Sequence, residues 1–233
     1  MKQIAQHLQQ VKVRIAQAAG LVGRHVEQVS LLAVSKTKPL EAIQAAYAAG
    51  QRCFGESYAQ EAAAKVDLLR LQPDYADIEW HFIGPLQSNK SKLVAERFDW
   101  VQSVDSEKLI DRLNRQRPAM MAPLNICLQI NISQESSKSG ASARAIFQLA
   151  ERVSRCERLV LRGLMAIPLH TNDEIVLSAQ MAHMQHLFTE LAQQYPTVDT
   201  LSMGMTEDLE LAIAHGSTMV RVGTAIFGAR DYS

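Results

Sequence analysis

The chain has 233 residues, room for one large α/β barrel or two small domains, and its 24 Lys plus Arg are balanced by 24 Asp plus Glu. That neutrality excludes a general attraction for nucleic acid or an anionic membrane surface, so a small anionic ligand needs a local site. The three cysteines, Cys53, Cys127 and Cys156, are odd in number and far apart, which argues against a disulfide framework or a CxxC motif and for free thiols in a reducing compartment. No window holds eighteen apolar residues in a row, and Met1-Lys2-Gln3-Ile4-Ala5-Gln6-His7 lacks the apolar core of a signal peptide. A cytoplasmic protein without a membrane span is expected.

In chain order, Ile4, Leu8, Val11, Ile15 and Ala18 recur at three- and four-residue steps and predict an amphipathic helix from about Ile4 to Ala18. Leu31 to Val34 is a short apolar run, the form of a strand covered on both faces. A Pro start and a Gly stop frame a helix over Pro39 to Ala49. Arg52 to Gly55 is a second strand, Glu56 to about Leu71 a helix by propensity closed by Pro73, and Glu79 to Ile83 a third strand. Helix Ser88 to Arg97, strand Trp100 to Val104, helix Ser106 to Arg115 and strand Leu124 to Asn131 follow. Beyond a polar loop come helix Ala141 to Cys156, strand Leu159 to Ile167, helix Asp173 to Gln194, strand Thr200 to Met203, helix Glu207 to Ala214 and strand Thr218 to Val222.

Eight apolar strands separated by helices predict a single (β/α)₈ TIM-type barrel of class α/β spanning residues 1–233 as one domain, with a doubly wound open sheet as the alternative. The stretch after the eighth strand, Thr224 to Ser233, is too short for an outer helix, so the extra N-terminal helix is expected to cover that place.

Sites in such barrels lie at the C-terminal strand ends, often with phosphate held after strands seven and eight. Lys36 shares strand parity with Leu32 and Val34, which puts its ammonium at the mouth of the core, partly desolvated, as a Schiff-base lysine requires. The alternative is a strand-end lysine that reaches water along its stem. Ser202-Met203-Gly204-Met205-Thr206 leads toward a helix with small residues, hydroxyls and free N–H groups, and Gly223-Thr224 repeats that chemistry after strand eight. Thr206 also reads as an ordinary N-cap. Arg221 lies inside Met219-Val220-Arg221-Val222, where a charge needs a partner. A strand-one lysine, a strand-eight arginine and a phosphate cup describe a pocket for a phosphorylated carbonyl compound, and pyridoxal 5′-phosphate fits it. His81 reads equally as a pocket residue or a satisfied core histidine. His183 and His186 share a helix face without a third ligand, so surface positions and no metal site are expected. Lys138 reads as a solvated loop lysine or one that approaches the pocket.

The motifs Ala33-Val34-Ser35-Lys36-Thr37-Lys38-Pro39, Phe54-Gly55-Glu56-Ser57-Tyr58-Ala59-Gln60-Glu61, Trp80-His81-Phe82-Ile83-Gly84-Pro85-Leu86-Gln87-Ser88-Asn89-Lys90, Gly163-Leu164-Met165, Leu201-Ser202-Met203-Gly204-Met205 and Arg221-Val222-Gly223-Thr224-Ala225-Ile226-Phe227-Gly228 resemble the pyridoxal-phosphate homeostasis proteins, the YggS/PROSC-like group. The resemblance runs through nearly the whole chain. It implies a barrel like the N-terminal domain of alanine racemases, Lys36 as the aldimine lysine, Arg221 at the pyridine nitrogen, and Ser202, Thr206, Gly223 and Thr224 around the phosphate. It also brings Ser57, Met165 and Met203 into the cofactor-binding set. Two positions depart from the family pattern: Ser57 stands where Asn is usual, and Thr206 where Ser is more common.

The expected function is pyridoxal 5′-phosphate homeostasis, with the cofactor held and not used for catalysis; a weak amino-acid racemase is the alternative. Racemases with this barrel carry their second base on a C-terminal β-domain, for which the residues after Gly223 leave no room. An arginine at the ring nitrogen also makes the cofactor a weaker electron sink. A monomer with no catalytic residues is expected, its partners being the cofactor and recipient apo-enzymes.

Overall fold

A computed structural model describes residues 2–133, 139–169 and 171–229. Eight parallel strands close into a barrel in chain order: β1 (Ser30–Val34), β2 (Cys53–Glu56), β3 (Glu79–Phe82), β4 (Trp100–Val104), β5 (Leu124–Ile130), β6 (Leu159–Ala166), β7 (Thr200–Ser202) and β8 (Met219–Val222). The closing pair is β8 with β1, through Ser30↔Met219 to Ala33↔Val222, and it rules out the open doubly wound sheet. The predicted strands are all present, most of them displaced at an end by one residue. The helices are α1 (Lys2–Leu21), α2 (Leu40–Ala48), α3 (Ala59–Arg70), α4 (Ser91–Ala95), α5 (Glu107–Gln116), α6 (Ile146–Ser154), α7 (Glu174–Gln194), α8 (Leu209–Ala214) and the single turn α9 (Thr224–Phe227).

The core between barrel and helices is apolar, built on Phe54, Trp80, Phe82, Phe98 and the buried faces of the helices. Helix α1 buries Leu8, Val11, Ile15, Ala18 and Ala19 and packs against α2, α8 and α9, on the outside of the barrel. Polar ties fix it there: Arg14 pairs with Glu210 at 2.8 Å and donates to the Thr206 carbonyl at 2.9 Å, while Arg24 donates to the carbonyls of Ile213 and Ser217. No described helix is long and apolar enough to cross a membrane.

Two boundaries differ from expectation in ways that matter for the site. Glu56 ends strand β2 instead of starting a helix, because its side chain is consumed by a buried ion pair, and α3 begins only at Ala59. Helix α8 begins at Leu209, with Thr206 to Asp208 forming a turn ahead of it. Thr206 is therefore not the N-cap, and its hydroxyl is left for other work.

Candidate functional site

The barrel interior holds the polar side chains of His81, Gln102, Ser202 and Arg221 among apolar ones, where barrels of this kind are usually filled by branched aliphatic side chains alone. Register partners on adjacent parallel strands face the same way, and Leu32↔Arg221, Gly55↔His81, His81↔Trp100, Met165↔Ser202 and Ser202↔Met219 form one such set. Gln102 of β4 reaches Ser202 of β7 at 2.7 Å and Met219 of β8 at 3.1 Å, which are not neighbouring strands, so this face is the interior.

Lys36 follows β1 in the turn at the C-terminal mouth and is half-buried. It stands just past Leu32 and Val34, at the end of β1 that pairs with β8 and β2. The next residue, Thr37, has φ +62°, a conformation that a β-branched residue adopts only when its surroundings compel it. They do: the Thr37 N–H donates to Glu61 Oε1 at 2.8 Å, and Glu61 is held by Lys65 Nζ at 2.6 Å. Lys65 also donates to Glu56 Oε1 at 2.9 Å and to the Ser35 carbonyl at 3.0 Å, and the Ser35 hydroxyl donates to the same Glu56 oxygen at 2.7 Å. A buried ionic cluster thus lies directly behind the lysine loop. Burial pushes the Glu56 carboxyl up, and Lys65 and Ser35 pull it back.

Across the β1/β8 seam lie the residues read as a phosphate cup. The hydroxyls of Thr206 and Thr224 stand 3.3 Å apart. Gly204 has φ +93°, and a Cβ there would lie 2.5 Å from that of Ala212, so only glycine lets the loop after β7 fold down onto α8. A Cβ on Gly223 would approach the Val34 carbonyl to 3.2 Å, which places this glycine against the end of β1, two residues before Lys36. The Lys38 ammonium donates to the Ala229 carbonyl and ties the lysine loop to the segment after α9.

Arg221 is 5% exposed. It donates to the Ser202 carbonyl at 2.7 Å, the Ser202 hydroxyl at 2.9 Å and the Ala166 carbonyl at 2.8 Å. All three acceptors are neutral, and no ion pair to Arg221 forms among the described residues. Burial lowers the guanidinium to about 10, the more distant Asp208 offsetting part of that. It stays charged at neutral pH without a carboxylate beside it.

The fold therefore gathers Lys36, Ser202, Thr206, Arg221, Gly223 and Thr224 around β7, β8 and β1 at one end of the barrel. Ser57 follows β2 at the same end, its backbone in contact with Gly84, where a Cβ would sit 2.2 Å from the Ser57 carbonyl oxygen. Met165 lies in the interior with Trp100 and Cys127. Met203 is placed differently: its side chain is fully buried in the core between barrel and helices, so only its backbone faces the β7 loop. His81 takes the core reading, bonded to Gln102 and Glu79 inside the barrel. His183 and His186 are exposed on α7, and Lys138 lies outside the described residues. Sequence reading missed Glu56, Lys65, Glu79 and Gln102. The signal for Gln102 was available, a long polar residue in the middle of a strand that begins with Trp100-Val101 and ends with Val104. A further cavity of about 220 Å³ opens at the ends of β3, β5 and β6, lined by Ile83, Pro85, Gln129, Ile130, Asn131, Ser139 and Ile167.

Residues 7–231 match the family model for the N-terminal domain of alanine racemase. The chain is 51% identical over 233 residues to a protein of Vibrio cholerae, covering 100% of this chain and 99% of that one, and 52% identical over 233 residues, with the same coverage, to one of Escherichia coli strain K12; both are named pyridoxal phosphate homeostasis protein. The chain belongs to that family. Among solved structures of similar proteins, PipY of Synechococcus elongatus PCC7942 with PLP bound has a TM-score of 0.77 and 39% identity, covering 92% of this chain and 100% of that one. In this homeostasis-protein chain, the expected barrel is present and its lysine, arginine and hydroxyl cup share one mouth.

Proposed function

We propose that this chain binds pyridoxal 5′-phosphate at the β7/β8/β1 mouth and serves in its homeostasis, holding the cofactor without catalysis. The observation that carries the reading is Arg221, a buried cation satisfied only by neutral oxygens, beside a cup of hydroxyls and across the seam from Lys36. A cofactor with an electron-rich ring nitrogen, a dianionic phosphate and an aldehyde has the three chemistries these side chains call for. Naming the protein PipY as a structure with PLP bound, in a relative 39% identical, supports the same choice.

In this reading the Thr206 and Thr224 hydroxyls, with the backbone at Gly223 and Ser202, hold the phosphate, and Arg221 faces the ring nitrogen. Met165 and Ser57 line the ring, and Met203 contributes backbone alone. A bound cofactor would supply an aldehyde, and Lys36 would be the amine that holds it. The Glu56–Lys65–Glu61 cluster fixes the loop from which Lys36 projects. Arg221 donates a hydrogen bond but keeps its proton, so the ring nitrogen is left without the positive charge that makes the cofactor a strong electron sink; this is the argument for a carrier over a racemase. The whole chain acts as one cofactor-binding unit, working in the cytoplasm as a monomer that delivers to apo-enzymes.

The test is a titration of cofactor-free protein with pyridoxal 5′-phosphate followed by visible absorption, and then by proton NMR with amino acids in heavy water. A saturable yellow band at one equivalent, with no exchange of any α-hydrogen, is expected. Absence of the band contradicts the binding reading, and rapid α-hydrogen exchange contradicts the carrier reading.

A further inference from the structure

The interior polar residues form one connected line through the barrel. Arg221 donates to Ser202 Oγ at 2.9 Å, Ser202 Oγ donates to Gln102 Oε1 at 2.7 Å, Gln102 Nε2 lies 2.9 Å from His81 Nδ1, and His81 Nε2 lies 2.8 Å from Glu79 Oε1. The line starts at the mouth and ends at the first residue of β3, on the opposite face, where the Glu79 side chain is 42% exposed.

Its direction follows from donor chemistry at Arg221 and from the orientation of the Gln102 amide. A guanidinium has hydrogens to give and no lone pair to offer, so Ser202 must accept from Arg221 and pass its own hydrogen on. The oxygen at 2.7 Å that receives it is the amide Oε1 of Gln102, and that turns the amide nitrogen toward His81. Nδ1 of His81 is then the acceptor, its hydrogen sits on Nε2, and Nε2 donates to the Glu79 carboxylate. Every link donates away from the cation and toward the anion, so the link dipoles add.

We propose that Gln102, His81 and Glu79 are positioning residues that act on Arg221 through Ser202, fixing its guanidinium in the mouth and giving its charge a counter-charge at the far end of the barrel. The proposal explains how a cation with no carboxylate beside it is kept in a buried interior. It is also consistent with the Glu79 carboxyl: burial alone would raise it, but the hydrogen bonds it accepts, that of His81 foremost, hold it down to about 2.

Cys53 Sγ, Glu79 Oε1 and His81 Nε2 lie within 4.8 Å of one another, a spacing that a zinc ion accepts. The chain assigns those atoms to hydrogen bonding instead. Nε2 presents a hydrogen where a metal needs a lone pair, and Cys53, its thiol pushed up to about 12 by burial and by Glu79, donates to the same Oε1 at 3.6 Å.

Two measurements test this, and they separate the chain from the cofactor reading on which its functional effect rests. In cofactor-free protein, long-range proton–nitrogen correlation spectra of His81 are expected to show hydrogen on Nε2 and a bare Nδ1; hydrogen on Nδ1 overturns the proposal whether or not cofactor binds. In loaded protein, Glu79→Gln keeps the shape and removes the charge, and Asp77→Asn removes an equal charge from the same face outside the chain, where Asp77 pairs with Arg52. Glu79→Gln is expected to weaken pyridoxal 5′-phosphate about fivefold, the difference between a charge-assisted and a neutral hydrogen bond, and to move the visible maximum, while Asp77→Asn does neither. Equal responses, or none from Glu79→Gln, overturn the proposal. Should wild-type protein show no visible band, the cofactor reading falls and the His81 spectrum alone decides the chain.

Discussion

Two buried cations in this barrel are satisfied in opposite ways. Lys65, behind the Lys36 loop, has two carboxylates within 3 Å, Glu56 and Glu61, and a backbone carbonyl besides. Arg221, in the interior beneath the mouth, has three neutral oxygens and a carboxylate only at the end of a relay. A charge neutralised by its neighbours has nothing left to offer a ligand and serves as a strut. One that is merely solvated by dipoles keeps its field, and the pocket can use it. The comparison divides the site into a frame on the β1/β2 side and a receptor on the β7/β8 side.

The largest expected effect comes from breaking the frame. Lys65→Met strands Glu56, whose side chain is fully buried and whose Oε2 already lacks a partner, and is expected to cost about 3 kcal/mol in urea unfolding. A loss below about 1 kcal/mol would mean that the cluster is not a strut. Arg221→Met is expected to do the reverse. It removes a desolvated charge and leaves two carbonyls short of a donor, so the cofactor-free melting temperature should change little, while pyridoxal 5′-phosphate affinity falls about thirtyfold, as for one lost hydrogen bond to a charged group. A variant with full affinity and the same ligand-induced stabilisation would take Arg221 out of the receptor. Thr224→Val should weaken pyridoxal 5′-phosphate about fivefold and leave unphosphorylated pyridoxal unaffected, on the scale of one neutral hydrogen bond; equal losses for both ligands would count against the cup.

The smallest effect concerns acid. Glu79 is held at about 2 against an ordinary 4.5, chiefly by His81 acting against burial. A carboxyl with a depressed folded-state pKa adds stability that is full above its unfolded value and is lost as pH falls through the folded one. Wild-type protein should therefore lose roughly 1 kcal/mol more than Glu79→Gln between pH 4.5 and 2, a figure reduced for the exposure of the side chain. Parallel acid profiles would show that the far end of the relay carries no charge of consequence.

Much of this was legible in the residues. The alternation of apolar runs and helical periods marked all eight strands, and the place of Lys36 just past the first of them put that residue at the C-terminal mouth, in the turn after β1. Parity also shows why Met203 differs from Ser202: adjacent strand residues face opposite sides, so if Ser202 is interior, the Met203 side chain belongs to the outer core. The frame was hidden because it depends on tertiary contact. Glu56 and Lys65 sit in a stretch rich in helix formers, and nothing local says that one ends a strand while the other reaches back beneath it. The partners of Gln102 were hidden for a related reason, since its bonds run to His81 on β3 and Ser202 on β7, strands whose distance in space no single-strand pattern reports.

The central claim, that the mouth binds pyridoxal 5′-phosphate through Lys36, is tested most directly by loading the protein, reducing it with borohydride and mapping the labelled peptide. The account predicts one pyridoxyl group, on Lys36, lost in Lys36→Ala. A label confined to Lys38, Lys90 or Lys138, or a label that survives Lys36→Ala unchanged, would contradict it.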